Sequence, residues 1–138
     1  MNLRGFIEQK ILGRGSYGSV YKAIRLIDCK SYAIKVVNFN DLLQEKNEDL
    51  LQKIIKDSLN EIRLMASFAS PFIVRFYEAF RDNRQLYIIS EYAKLGDLAQ
   101  FIQNRKLIKR HLKEDLIWLF LIQLLEGLRS LHSCGVIH

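Results

Sequence analysis

Three glycines within Gly13-Arg14-Gly15-Ser16-Tyr17-Gly18-Ser19-Val20 constrain this chain more than any other feature. Glycines at that spacing let backbone amides approach phosphate oxygens with no side chain in the way. A dinucleotide-binding turn carries the same letters, but there a helix must start directly after the glycines so that its N-terminus faces the pyrophosphate. Here the loop runs into Val20-Tyr21-Lys22-Ala23-Ile24-Arg25-Leu26, which is rich in β-branched and aromatic residues, partly alternating, and therefore predicts a strand. The glycines then form the tip of a hairpin lying over a nucleotide. Ala33-Ile34-Lys35 follows on the next strand, and Lys35 can set a point charge on the same phosphates.

A lysine in an apolar strand is costly to bury and poorly aimed without a carboxylate partner. Glu61, in Asn60-Glu61-Ile62-Arg63-Leu64-Met65, is placed to supply one from a helix, giving an expected Lys35–Glu61 ion pair. The plainer alternative for Glu61 is a solvated helix residue. A purine ring needs an apolar slot and an edge of backbone hydrogen bonds. Leu12, Val20 and Ala33 can wall the slot, and Glu91-Tyr92-Ala93 can supply the edge where a strand leaves the sheet.

The pattern along the chain predicts strands over Phe6 to Leu12, Val20 to Ile27, Tyr32 to Phe39, Ile73 to Phe80 and Leu86 to Tyr92. A polar connection, Asn40 to Glu48, precedes a helix from about Asp49 to Ser67, with Leu51, Ile54, Ile55, Ser58, Ile62 and Met65 on one face. Arg81 to Arg84 reads as a turn. Gly96 breaks the pattern, and Asp97 caps a short helix reaching about Asn104. A long helix follows from about Leu112 to Ser133, with Glu114 and Asp115 suited to its dipole. Five strands with one inserted helix, then two helices, is an α+β order and not the alternation of a doubly wound sheet.

The 138 residues carry a formal charge of +6, which would permit nucleic-acid binding. The basic residues are spread out, however, the only dense patch being Arg105 to Arg110, and no recognition module accompanies them, so no nucleic-acid partner is expected. Cys29 and Cys134 have no metal-ligand spacing and read as free thiols of a reducing compartment; no metal site is expected from the residues present. The N-terminus lacks a signal-peptide core, and the longest apolar run, Leu116 to Ile122, is too short for a membrane span. An intracellular, cytoplasmic protein is expected.

Taken in order, Leu12 through Val20, Tyr32-Ala33-Ile34-Lys35, Asn60-Glu61-Ile62-Arg63, Pro71-Phe72-Ile73-Val74 and Leu86 through Tyr92 resemble the amino-terminal half of a eukaryotic protein kinase domain. The resemblance covers essentially the whole chain. It implies a kinase N-lobe over 1–93, a five-stranded antiparallel sheet with one long helix, and the first two helices of a truncated C-lobe over 94–138. It implies ATP and Mg2+ as cofactors and a protein substrate phosphorylated on Ser or Thr. Lys35 and Glu61 take the catalytic pair, and Leu12, Gly13, Arg14, Gly15, Ser16, Tyr17, Gly18, Ser19, Val20, Ala33 and Lys35 the ATP lid and wall. Ser90 takes the gatekeeper position, Glu91 and Ala93 the adenine-binding hinge, and Asp97 the ribose contact; Met65 and Phe76 fall on the regulatory spine. Leu59 through Ala66, Phe76 through Phe80, Gly96-Asp97-Leu98 and the Ile117-Trp118 helix resemble NIMA-related serine/threonine kinases, which suggests cytoskeletal or ciliary work by analogy.

Two departures from the family pattern carry consequences. Ser90 is smaller than the usual apolar gatekeeper and is expected to open a pocket behind the adenine. The chain ends at Val136-Ile137-His138, and His138 matches the first residue of the His-Arg-Asp loop. The catalytic aspartate and both magnesium-binding motifs are absent from these residues, so the fragment alone is expected to be inactive. The apolar helix residues 116–122 are expected to need the missing C-lobe or a regulatory partner to cover them. The alternative is a short non-catalytic module that binds a nucleotide or a partner as a regulator.

Overall fold

The computed structural model describes residues 2–3, 5–15, 18–39 and 48–137. Ser16, Tyr17 and His138, and most of the polar connection after Phe39, lie outside the described residues. The chain divides into two compact units, Met1–Ser67 with Val74–Tyr92, and Phe68–Ile73 with Ala93–His138.

The first unit is built on an antiparallel sheet of β1 (Asn2–Leu3), β2 (Phe6–Gly15), β3 (Gly18–Arg25), β4 (Ser31–Asn38), β5 (Phe76–Asp82) and β6 (Gln85–Glu91), in the order β1-β2-β3-β4-β6-β5. The five expected strands are all present, and the two-residue β1 adds a short edge beside Phe6. β5 starts at Phe76, three residues later than the β-branched run from Ile73 suggests. Asn83 and Arg84 both take positive φ (45° and 61°), the two-residue turn whose twist matches that of the strands it joins.

Alternation along β4 sorts the sheet into two faces. Tyr32 and Ile34 point to one face, where they pack with Phe6, Ala23, Tyr87 and Ile89. Val37 lies on the other face, beneath the helix α1 (Glu48–Ser67), where it packs with Phe39 and Ile54. On α1 only Ile54 and Ser58 are fully buried; Leu51, Ile62 and Met65 are half-buried. Ile55, expected on the same stripe, is exposed, because the sheet covers a face centred one residue earlier.

The β3–β4 turn is held by Asp28. Its carboxylate accepts from the Arg25 guanidinium, from the Tyr32 hydroxyl at 2.6 Å and from the Lys30 amide at 3.1 Å. The Arg25 hydrogen bond, foremost, holds the Asp28 carboxyl well below the usual carboxylate range. Arg25 also stacks over the Tyr32 ring.

The second unit contains α2 (Leu98–Leu107) and α3 (Glu114–Ser133). Asp97 caps α2, as expected, its Oδ1 accepting from the Gln100 amide at 2.7 Å. Segment 68–73 belongs here: a Cβ on buried Gly127 would lie 3.3 Å from the Phe72 carbonyl oxygen, so α3 presents bare backbone to Phe72. The Phe101 and Phe120 rings meet edge to face at 5.8 Å. Ile117, Trp118, Ile122 and Leu124 are each half or more exposed, so the apolar run of α3 is not covered by this unit. Both cysteines are free and exposed.

Candidate functional site

Lys35 sits mid-strand on β4, on the same face as Val37, so its side chain rises toward α1. There its Nζ donates to both carboxylate oxygens of Glu61, at 2.8 Å to Oε1 and 2.6 Å to Oε2. The two side chains remain 40% and 39% exposed. A pair that open to solvent adds on the order of 1 kcal/mol at most to stability. Its chief consequence is geometric: the ammonium is held at a fixed place on the sheet with its third proton free to donate.

The three glycines of the loop divide by physical role. At Gly13 an added Cβ meets nothing within 4 Å, and at Gly15 only the Gly18 carbonyl oxygen, at 3.8 Å. Neither has a positive φ, so nothing among the described residues requires glycine there. A ligand lying close against the backbone would. Gly18 differs: its Cβ would fall 2.0 Å from the Val36 carbonyl oxygen, a collision with the neighbouring strand. Gly18 is thus demanded by packing of β3 on β4, while Gly13 and Gly15 leave room for something else.

Leu12 is the unpaired residue of a bulge, since β2 pairs Ile11 with Tyr21 and then Gly13 with Val20. The bulge bends β2 where the glycine loop begins. Val20 pairs with Lys35, and Ala33 with Ser90, so these residues share one patch of sheet. The Ser90 Oγ lies 3.5 Å from the Ala33 carbonyl oxygen. Arg14 and Ser19 face each other across the hairpin. The Glu91 amide donates to the Arg75 carbonyl at 2.8 Å. Met65 and Phe76 are both half-buried in the first unit. Ala93 and Asp97 belong to the second unit, where the Ala93 carbonyl accepts from Gly96 at 3.2 Å.

A cavity of about 240 Å³ opens between the loop and α1, lined by Gly15, Gly18, Val20, Lys35, Asp57 and Glu61 among others. Asp57 was not expected there. It lies one turn before Glu61, and the i, i+4 spacing on a helix already aimed at Lys35 is the signal that finds it. Ser58, buried on the same face, also lines the cavity. The described residues hold no group of three or more His, Cys, Asp or Glu placed to bind a metal ion.

A half-exposed ammonium fixed by a carboxylate, beside a hairpin tip whose first two glycines have open space, suits the phosphates of a nucleoside triphosphate. The family model for the protein kinase domain matches residues 6–138. The chain belongs to the protein kinase domain family. Among curated proteins, the kinase domain is 33% identical over 129 residues to the mouse serine/threonine-protein kinase Nek5, covering 94% of this chain and 18% of that protein. It is 34% identical over 127 residues to the MAP3K epsilon protein kinase 1 of Arabidopsis thaliana, covering 92% of this chain and 9% of that one. A probable serine/threonine-protein kinase of Dictyostelium discoideum is 26% identical over all 138 residues, which is 28% of its length. The chain thus spans under a third of the length of each of these relatives. No helix among the described residues is long and apolar enough to cross a membrane.

Proposed function

We propose that this chain forms the ATP-holding part of a serine/threonine protein kinase of the NIMA-related type, acting on protein hydroxyls. The observation that carries the reading is the two-oxygen Lys35–Glu61 bond, which joins β4 to α1 across 26 residues of sequence. Lys35 takes the α- and β-phosphate oxygens, and Glu61 keeps its ammonium aimed. Gly13 and Gly15 admit the phosphates to the backbone; Leu12, Val20 and Ala33 enclose the adenine. The Glu91 backbone meets its edge, and Ser90 stands behind it. Serine/threonine specificity and the NIMA-related type are supported by the printed names of the relatives, Nek5 among them. ATP supplies the phosphoryl group when bound, and Mg2+ would neutralise its charge. Among the described residues no group of three or more His, Cys, Asp or Glu is placed to hold that metal, so no step through it is assigned to this chain.

An ATP analogue bearing an acyl-phosphate on its terminal phosphate tests the site, because it acylates an amine held near the phosphates. Peptide mapping is expected to find the label on Lys35, suppressed by excess ATP and absent in Lys35→Met. Labelling that ATP does not suppress would reject the reading.

Joined in register to the carboxy-terminal half of a related kinase domain, the chain is expected to phosphorylate casein in a Lys35-dependent manner; a folded but inactive fusion would reject the reading.

A further inference from the structure

The end of α2 and its connection to α3 carry a cluster of cations, of which Arg105 lies over the Phe101 ring at 5.2 Å. Arg105, Lys106, Lys109, Arg110 and Lys113 form no ion pair with any described carboxylate. The nearby Glu114 carboxylate is engaged by the Trp118 indole at 3.2 Å. Helix-dipole logic accounts for Arg105 and Lys106, which lie in the last turn of α2. It does not account for Lys113, which stands at the start of α3, where positive charge is unfavourable, and makes no capping bond.

The turn that ends α2 closes on a left-handed residue. The Arg110 amide bonds to the Arg105 carbonyl and the Lys109 amide to the Lys106 carbonyl, both at 3.0 Å. This arrangement requires a left-handed residue at Lys109, whose φ is 52°. The end of α3 makes the same turn, with Val136 bonded to Leu131 and Gly135 to His132, and there glycine occupies the left-handed position. The α2 turn holds a lysine where the α3 turn holds glycine.

Three of these side chains, Arg105, Arg110 and Lys113, line a cavity of about 560 Å³ in the second unit. Arg105, Arg110, His111 and Lys113 contribute its polar lining, and Leu112, Leu116 and Leu119 its apolar floor. Asp115 is the one acidic residue on that lining. We infer that this cavity docks an acidic segment of a partner protein, with carboxylates on the rim and an apolar side chain on the leucine floor. Charge complementarity selects the partner: guanidinium groups pair with carboxylates through two parallel hydrogen bonds. A concave site with an apolar floor fits a peptide side chain and does not fit a flat lipid surface. No Phe, Tyr or Trp ring lines it to give the stacking platform that single-stranded nucleic acid binding would use. The inference is independent of nucleotide binding at Lys35, which lies in the other unit.

Fluorescence anisotropy of the purified protein with a labelled peptide of Asp and Glu around two leucines tests it. Binding is expected with a dissociation constant of about tens of micromolar, weakening several-fold as salt rises from about 0.05 to 0.3 M. Arg110→Glu with Lys113→Glu should weaken it about tenfold or more, and the milder Arg110→Gln with Lys113→Gln about threefold. Replacing both peptide leucines by serine should weaken it about fivefold. The thermal melt followed by the fluorescence of Trp118, on α3 of the same unit, should be unchanged in all these variants, which certifies their folding separately from the docking result. Unchanged binding in the charge variants would overturn the inference, as would equal binding of the leucine-free peptide. So would tighter, Arg110-dependent binding of a single-stranded oligonucleotide or of phosphatidylserine vesicles.

Discussion

Replacing Gly18 by alanine should damage the fold, while the same change at Gly13 should spare it. At Gly18 the new methyl carbon would lie 2.0 Å from the Val36 carbonyl oxygen, 3.0 Å from its carbon and 3.2 Å from the Val37 Cα. All three are backbone atoms of a strand hydrogen-bonded on both sides, to β3 and to β6, so no flexible side chain can give way. Relief requires β3 to lift from β4 at the Gly18–Val37 pair, with loss of ladder hydrogen bonds. Overpacking against an unyielding neighbour is destabilising by about 3 kcal/mol. In a domain of this size that lowers Tm by about 12 °C. Gly13→Ala meets open space, and by restricting the unfolded chain it should leave stability unchanged or raise it by about 0.5 kcal/mol. Calorimetry or circular-dichroism melts of both variants, alongside ATP-analogue labelling of Lys35, separate the two roles. Gly18→Ala should melt early, whereas Gly13→Ala should melt normally and label poorly. A Gly18→Ala melt within about 1 °C of the parent, or Gly13→Ala as unstable as Gly18→Ala, would refute the reasoning.

The remaining expectations concern three acidic or polar side chains. Because the folded-state pKa of Asp28 is depressed, its stabilising effect is complete above the ordinary value of 3.8 and is lost as pH falls below it. Asp28→Asn should therefore lower the urea midpoint at pH 7 and flatten its fall on the acid side; superimposable acid limbs would contradict the turn's dependence on that carboxylate. Asp97→Ala should destabilise the second unit by about 1 kcal/mol, read from the fluorescence of Trp118, whereas Asp97→Asn should retain the cap. An ATP analogue with a bulky N6 group should compete for Lys35 labelling in the parent protein and not in Ser90→Met. Equal competition in both would reject a pocket behind Ser90.

The Lys35–Glu61 bond was legible in the sequence because chemistry required it: a lysine within an apolar strand needs an acceptor, and a helix glutamate was at hand. The strands of the first unit were legible by their period of two. Where the sequence misled, the cause was contact at a distance. Ile73 to Arg75 look like strand, but the segment before Val74 packs with the second unit, where Phe72 meets Gly127. Ile55 fits the helical stripe, yet the sheet leaves it exposed. Asp57 in the cavity depends on how α1 approaches β4, and the bulge at Leu12 on how β2 registers against β3, which no local pattern records.

By itself, then, the sequence determined the order of elements, the family and the identity of the charged pair, because these follow from periodicity and from the needs of a cation set in an apolar strand. Only the tertiary structure decided what each loop glycine is for. Gly13, Gly15 and Gly18 are the same letter in one motif, and the distinction is the distance to Val36. That distance is fixed by the pairing of β3 with β4 and by nothing inside the loop.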